Sequence, residues 1–330
     1  MNPLARKLLF ATLTAVTLVA TPLTAAAPTA LTTGVVEIQT RYASSSGGGA
    51  ATGIVLTSSG RVLTNNHVIR GAARIRVSVP EGRTYTAQVL GYSVGADVAL
   101  LQLRGATGLD TAILGNSSTV EVGDEVTAVG NAGGTGTLTT KDGTIVDRGV
   151  TIPLSDGQGG RARLTRLLET SADLQQGDSG GPLLDEAGRV IGVNAAASVS
   201  RSGDSDGYAI PINRATAIVR QIDTGRTTST IHVGATPFLG VIPGSTEALG
   251  DSASRGVPIA GVRAGSPAAR AGLERGDVIV SLNGNAVRSS AELVSRLLRW
   301  HPGDAIRVAW VDAFGGRESA RVTLATGPPQ

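Results

Sequence analysis

The chain has no cysteine, so disulfides, thiolate metal sites and a cysteine nucleophile are all excluded, and its stability has to come from packing alone. Aromatic residues make up only 3 %, which leaves Val, Ile, Leu and Ala to fill any core. The three histidines, His67, His232 and His301, are too far apart in sequence for metal-ligand spacing, so neither a metal nor another cofactor is expected. Basic runs and basic residues interleaved with aromatics are missing as well, which argues against nucleic acid as a partner. Arg6 and Lys7 are two of the 29 Lys and Arg that face 26 Asp and Glu, so the rest of the chain is close to neutral and its high isoelectric point says little about polyanions. Beyond residue 30 no apolar run is long enough to span a bilayer.

Residues 1–30 are of a different kind. A short basic stretch, Arg6-Lys7, precedes an apolar run from Leu8 to Ala20, and small residues including Ala25-Ala26-Ala27 follow. This is the pattern of a secretory signal peptide. An uncleaved membrane anchor is the alternative, since no Lys or Arg occurs between Lys7 and Arg41; Thr and Pro dilute the run and favour cleavage. Either way the rest of the chain is expected outside the cytoplasm, secreted, periplasmic or associated with the cell envelope.

What is present reads as mainly β. Among 330 residues, 41 % are hydrophobic and 45 are glycine, and β-branched residues fall in short runs between turn signals. Strands are expected at Val35 to Arg41, Ala51 to Leu56, Arg74 to Val79, Thr84 to Leu90, Glu125 to Val129 and Val190 to Val193, with turns at Ser59-Gly60, Glu81-Gly82, Asp142-Gly143 and Ala187-Gly188. That spacing favours a barrel or sandwich over a βαβ fold, and a helical stretch, Arg214 to Ile222, closes the region. Residues 1–30 are thus followed by a domain over 31–223, a polar linker over 224–235 and a compact α+β unit over 236–328. The last unit has two helix starts. Ser266-Pro267 is an N-cap followed by Pro at the first helical position, with Gly272 as the stop, and Ser289 with Glu292 forms a capping box. Strands are expected around them at Leu239 to Ile242, Val257 to Val262, Val278 to Leu282, Ile306 to Val311 and Arg317 to Leu324, the last two as a hairpin about Phe314-Gly315-Gly316.

Gly177-Asp178-Ser179-Gly180-Gly181-Pro182 is the strongest chemical signal. A serine nucleophile for acyl transfer has to stand exposed on a sharp turn beside backbone N–H groups that can hold an oxyanion, and glycines permit that backbone. Gly177 and Ser179 are the expected donors. The base is His67, in Thr64-Asn65-Asn66-His67-Val68, because His232 falls in the linker and His301 in a turn of the second unit. Asp97 enters the apolar run Val98-Ala99-Leu100-Leu101, where a carboxylate is costly unless paired, whereas Asp110, Asp124 and Asp147 lie in turn or loop contexts. The chain order His67, Asp97, Ser179 is that of chymotrypsin and not that of subtilisin or the α/β-hydrolases. Gly130 to Gly136 is glycine-rich but lacks the Gly-Lys-Ser/Thr ending of a phosphate loop and is read as a barrel loop near the active site; Asp156 to Gly160 is read as a flexible loop.

The segments Thr64-Asn65-Asn66-His67-Val68, Asp97 to Leu101, Gly180 to Leu184 and Gly207 to Ile212 resemble HtrA/DegP-type trypsin-like proteases, and Phe238 to Val241, Gly265 to Ala269 and Gly276 to Ile279 resemble the PDZ domain of that family. The resemblance covers about residues 34 to 326. It implies a chymotrypsin-like double β-barrel followed by an α+β PDZ domain, hydrolysis of unfolded or misfolded envelope proteins through an acyl-enzyme, and no activation by an inserted N-terminus. It also implies a primary specificity pocket with Asp173 at its base and Ala195, Ala196 and Ala197 along it, and capture of peptide C-termini by Phe238, Leu239, Gly240 and Val241, with Leu293 and Leu297 lining the groove from a helix.

Three features depart from the family pattern. Asp178 stands where Asn is usual, and a buried carboxylate there needs a partner that the sequence does not identify. Asp173 stands where a small residue is usual, which would admit Arg or Lys side chains. The segment leading into Val35 lacks the aromatics through which family trimers pack, which leaves homo-oligomerisation open. The competing function is a non-catalytic envelope chaperone or peptide-binding protein on the same scaffold.

Overall fold

Alternation along the first strands builds two cores at once. The computed structural model describes residues 31–43, 47–155, 161–199, 205–244 and 256–330, with the backbone alone at 154–155, 161–162, 196–199 and 205–206. Strands β1 (Val35–Tyr42), β2 (Gly48–Val55) and β3 (Arg61–Thr64), a single helical turn α1 (Asn66–Ile69), and strands β4 (Ala72–Ser78), β5 (Thr84–Ser93) and β6 (Val98–Leu103) come first. Their antiparallel ladder runs β5-β4-β1-β2-β3-β6, and β6 returns to β5 to close a barrel. Val36, Ile38, Val55, Val62 and Leu101 fill its interior. Their chain neighbours Val35, Ile54, Leu63 and Leu100 point the other way, as the period of two requires, into a second core.

That second core is shared. Strands β7 (Glu125–Gly130), β8 (Thr139–Ser155), β9 (Arg161–Thr170), β10 (Pro182–Asp185), β11 (Val190–Val199) and β12 (Ser205–Pro211) close another barrel in the order β10-β11-β12-β9-β8-β7. Val126, Ile145, Leu168, Leu183 and Ile191 fill it. Val129, Leu167, Val193 and Ile210 meet Ile54, Leu63 and Leu100 between the barrels, with Val219 and Ile222 of helix α2 (Ile212–Asp223). The domain is therefore a double β-barrel built almost wholly from aliphatic side chains. The loops that matter for chemistry leave this shared core.

After β13 (His232–Val233) come β14 (Thr236–Phe238), β15 (Val241–Pro243), β16 (Val257–Val262), α3 (Pro267–Arg270), β17 (Val278–Leu282), β18 (Asn285–Ala286), α4 (Ser290–Leu297), β19 (Ala305–Val311), β20 (Arg317–Thr323) and β21 (Ala325–Gly327). The main sheet has the order β15-β16-β17-β19-β20, with β18 on β17, and β14 pairs with β21. Leu239, Ile259, Ile279, Leu293, Val308 and Trp310 form its core. Both helix starts form as the sequence predicts. Ser266 Oγ accepts from Ala269 N at 3.2 Å and Ser289 Oγ from Glu292 N at 3.1 Å. The return arm of the capping box reaches one residue further, since Glu292 Oε2 accepts from Arg288 N at 2.9 Å.

Three expectations differ. Asp142-Gly143 is not a turn but lies inside β8, where a Cβ at Gly143 would sit 2.4 Å from Ala172 N; the glycine serves close approach between segments. The polar stretch 224–235 does not run free. His232 and Val233 pair with Tyr92 and Gly91 of β5, and the buried His232 ring faces the carbonyl oxygens of Leu298 at 2.9 Å and Ala235 at 3.0 Å. Two short strands, β14 and β15, replace the single one expected at Leu239 to Ile242, because Leu239-Gly240 turns between them. The second unit also touches the first near α1: Asn66 Nδ2 donates to Gln330 O at 3.0 Å and Gly71 N to Pro329 O at 2.8 Å. No helix among the described residues is long and apolar enough to cross a membrane. The proposed leader, 1–30, and the loop 156–160 lie outside the described residues.

Candidate active site

Three turns from two barrels converge at the shared core. β3 ends at Thr64, and the chain enters α1 through Asn65, which is fully buried and donates from Nδ2 to Asp97 O at 3.0 Å. His67 follows. Asp97 precedes β6 with φ +55°, a left-handed conformation that Asp tolerates better than most residues. Asp97 is buried, and its carboxylate grips His67 twice: Oδ2 lies 2.8 Å from Nδ1, and Oδ1 accepts from the His67 backbone N at 2.9 Å. His67 and Ser179 line one cavity of about 350 Å³, together with Gly133, Gly134, Gln176 and Gly177. The structure thus brings His67, Asp97 and Ser179 to one place, and the loop Gly130 to Gly136 to its rim.

Opposing effects set the basicity of His67. Burial works to lower its pKa, the charge of Asp97 and its hydrogen bond raise it, and the charge of Arg70 lowers it; the balance lies above the ordinary 6.5. A general base works only when neutral. The acid limb of kcat/KM on a peptide substrate should therefore have its midpoint above pH 6.5, and Arg70→Ala, which removes a lowering influence, should move it to higher pH. A pH–rate profile of both proteins checks the sign; a shift to lower pH contradicts it.

The turn carrying Ser179 is tied from behind. Gln176 O accepts from Gly133 N at 2.8 Å and Asp178 O from Gly181 N at 3.0 Å. In a trans peptide the next N–H points opposite to the carbonyl, so the N–H groups of Gly177 and Ser179 face away from these partners. Neither N–H has an acceptor among the described residues. Thr52 of β2 crosses from the other barrel to hold the same turn: its Oγ1 donates to Gly177 O at 2.8 Å, and its N–H donates to Ser179 O at 2.9 Å.

The partner of Asp178 is Lys141. Asp178 is 2 % exposed, and its Oδ2 lies 2.5 Å from Lys141 Nζ on β8 and accepts from Gln175 N at 2.9 Å. Sequence reasoning missed Lys141, Thr52 and Asn65. A signal for the first exists, since Lys7 and Lys141 are the only lysines in a chain that otherwise uses arginine for its basic side chains.

A smaller cavity of about 210 Å³ opens beside Ser179, lined by Leu174, Gln175, Gln176, Asp178, Asn194 and Ala195. Asp173 does not line it, contrary to the expectation from the sequence. Ala172 and Leu174 are buried on either side, so Asp173 between them faces solvent, where its Oδ2 accepts from Gln175 Nε2 at 3.1 Å. The side chains of Ala196 and Ala197 lie outside the described residues.

In the second unit, Leu239 is buried and its carbonyl accepts from Ala268 N at 2.9 Å, while Phe238 is half-buried. Gly240 has φ +93°, and a Cβ there would meet Ser266 Cβ at 2.1 Å. Val241 opens β15, the edge strand of the sheet. Leu293 is part of the core at 1 % exposure, and Leu297 packs half-buried against the same core.

Two closed barrels with a His–Asp pair and a serine turn at their junction, followed by a small sheet-and-helix module, are the architecture of a trypsin-like peptidase domain with an added module. Residues 51–193 match the trypsin-like peptidase domain and residues 259–311 the PDZ domain. The chain thus carries a trypsin-like peptidase domain followed by a PDZ domain, and its curated relatives are named as Do-like, HtrA-type serine proteases. It is 37 % identical over 249 residues to the serine protease Do-like HtrB of Bacillus subtilis, covering 70 % of this chain and 52 % of that protein. It is 34 % identical over 265 residues to the periplasmic pH-dependent serine endoprotease DegQ of Escherichia coli, covering 79 % and 56 %. The chain thus spans about half the length of these relatives. Among solved structures, the HtrA-type protease AlgW with tripeptide is 28 % identical with a TM-score of 0.52, covering 92 % of this chain and 98 % of that one.

Proposed function

We propose that the chain is an extracytoplasmic serine endopeptidase that cleaves unfolded or misfolded polypeptides. The observation that carries this reading is the double grip of Asp97 on His67 beside the cavity that His67 shares with Ser179. His67 takes the proton of Ser179, the serine oxygen attacks the substrate carbonyl, and the developing oxyanion is held by the N–H groups of Gly177 and Ser179. Protonated His67 then gives its proton to the leaving amine, and water releases the acyl group by the same path in reverse.

The domain boundaries that fit this reading are 31–223 for the protease, 224–235 for the connection and 236–328 for the PDZ domain. Within the small cavity Leu174 and Ala195 offer the apolar contacts for an aliphatic P1 side chain, beside the polar Gln175, Gln176 and Asn194. The edge of β15, entered through Phe238, Leu239, Gly240 and Val241, suits an added strand from a peptide C-terminus. Residues 1–30 act as a secretory leader or anchor, in keeping with the periplasmic naming of relatives.

The test uses a fluorophosphonate probe and the product ends from a digest of unfolded casein. The expected result is labelling at Ser179, absent in Ser179→Ala, with cleavage after aliphatic residues. Matched Val and Arg peptides should favour Val, and Asp173→Ala should leave that preference unchanged. Peptide binding without any labelling of Ser179 would instead identify a chaperone or peptide-binding protein.

A further inference from the structure

Asp178 poses a physical problem that Lys141 solves. An ionised carboxylate buried to this degree is strongly unfavourable without a countercharge and hydrogen bonds. Its Oδ1, next to Gly130, makes no hydrogen bond among the described residues, so the whole grip is on Oδ2: Lys141 Nζ at 2.5 Å and Gln175 N at 2.9 Å. The Lys141 side chain is itself only 14 % exposed. Its backbone is fixed, because Lys141 pairs with Ala128 in the β7–β8 ladder of the second barrel. The pair therefore ties a rigid wall to a turn.

The position of Asp178 within that turn gives the tie a consequence. It lies between Gly177 and Ser179, the two residues whose N–H groups are assigned to the oxyanion, and its own N–H closes on Gln175 O at 3.1 Å. Pulling the carboxylate to the wall fixes the peptide planes on both sides of it. The cation comes from inside the fold, so the donor geometry depends on no chain end.

We propose that Lys141 is a positioning residue whose ammonium, acting through Asp178, holds the Gly177 and Ser179 N–H groups in their donor orientation. This rests on the proteolytic function proposed above. Lys141 is also the one lysine beyond residues 1–30, and its ammonium is a compact point charge on a flexible stem.

The experiment measures kcat and KM separately on a chromogenic peptide for the full chain, Lys141→Ala, and Lys141→Met combined with Asp178→Asn. Lys141→Ala should lower kcat by about 10²-fold, the scale of losing an oxyanion donor, with KM changed less than about threefold. Ethylammonium chloride should restore at least about tenfold of the loss in a saturable manner, and KCl at equal ionic strength should not. The double variant buries no charge on either side, so it folds even where Lys141→Ala does not, but it lacks the ion-pair tie and its kcat should stay at least about tenfold below wild type. An unchanged kcat in Lys141→Ala, a loss that ethylammonium leaves untouched in the folded protein, or a folded double variant with wild-type kcat would each overturn the proposal. In those cases fluorophosphonate still labels wild-type Ser179, so the protease reading stands. A wild type that neither labels nor turns over removes both.

Discussion

Replacing Asp97 by Asn should lower kcat by about 10⁴-fold while leaving KM within a few-fold of wild type. The argument begins with a donor that cannot change its role. The backbone N–H of His67 donates to Asp97 Oδ1 at 2.9 Å, so in the variant the amide oxygen has to stay opposite it. The amide NH₂ then falls opposite His67 Nδ1, where Oδ2 stood at 2.8 Å. Two donors cannot face each other, so Nδ1 becomes an acceptor and the ring proton moves to Nε2. That nitrogen can no longer take the proton of Ser179. The fold has no reason to change, since the substitution is isosteric and keeps both contacts. Four orders of magnitude is the scale of this substitution in a trypsin-like triad, and it corresponds to about 5 kcal/mol of transition-state stabilisation. Nitrogen-15 spectra of His67 should show the tautomer reversed. A loss of less than about tenfold would remove His67 from the role of base.

The proposed triad was legible because each member announces itself locally. Ser179 stands in a glycine turn, His67 follows the end of a strand, and Asp97 is a lone acid entering an apolar run. The barrels were legible from short β-branched runs, and the capped starts of α3 and α4 from Ser266-Pro267 and Ser289 with Glu292. What escaped depends on pairing across strands. Lys141 lies 37 residues from Asp178 in sequence, directly before an Asp-Gly dipeptide that reads as a turn, and only the register of β7 on β8 turns its side chain inward. Thr52 belongs to the other barrel and reaches Gly177 across 125 residues. Asp173 was misread because spacing from the serine cannot say which way a side chain points; the burial of Ala172 and Leu174 decides it. The anchored connection at β13 was hidden for a related reason. His232 looks polar in isolation, yet two carbonyl oxygens await its ring.

Gly177→Ala should cost about 10²–10³ in kcat, because the oxyanion turn has no room for a methyl group. Gly177 has φ +106°, a region that an L side chain rarely enters. A Cβ there would also meet Asn131 O at 2.0 Å and Gly134 N at 3.1 Å, and both neighbours are backbone. Asn131 cannot yield cheaply, since its own N–H donates to Thr52 Oγ1 at 3.0 Å within the cross-barrel clamp. The turn itself has to move, and its N–H groups move with it. The loss is then one of oxyanion geometry, in the range seen when a single such donor is removed. Binding of a PDZ-directed peptide and the circular dichroism spectrum should be unaffected, as the strain is local to the junction of the barrels. Gly95→Ala is the matched control, because a Cβ at Gly95 would meet nothing within 4 Å and its φ lies outside the glycine-only region. Equal kcat values for the two alanine variants would mean that the N–H groups of this turn do not hold the oxyanion, and a fluorophosphonate labelling rate measured on both proteins provides the independent check.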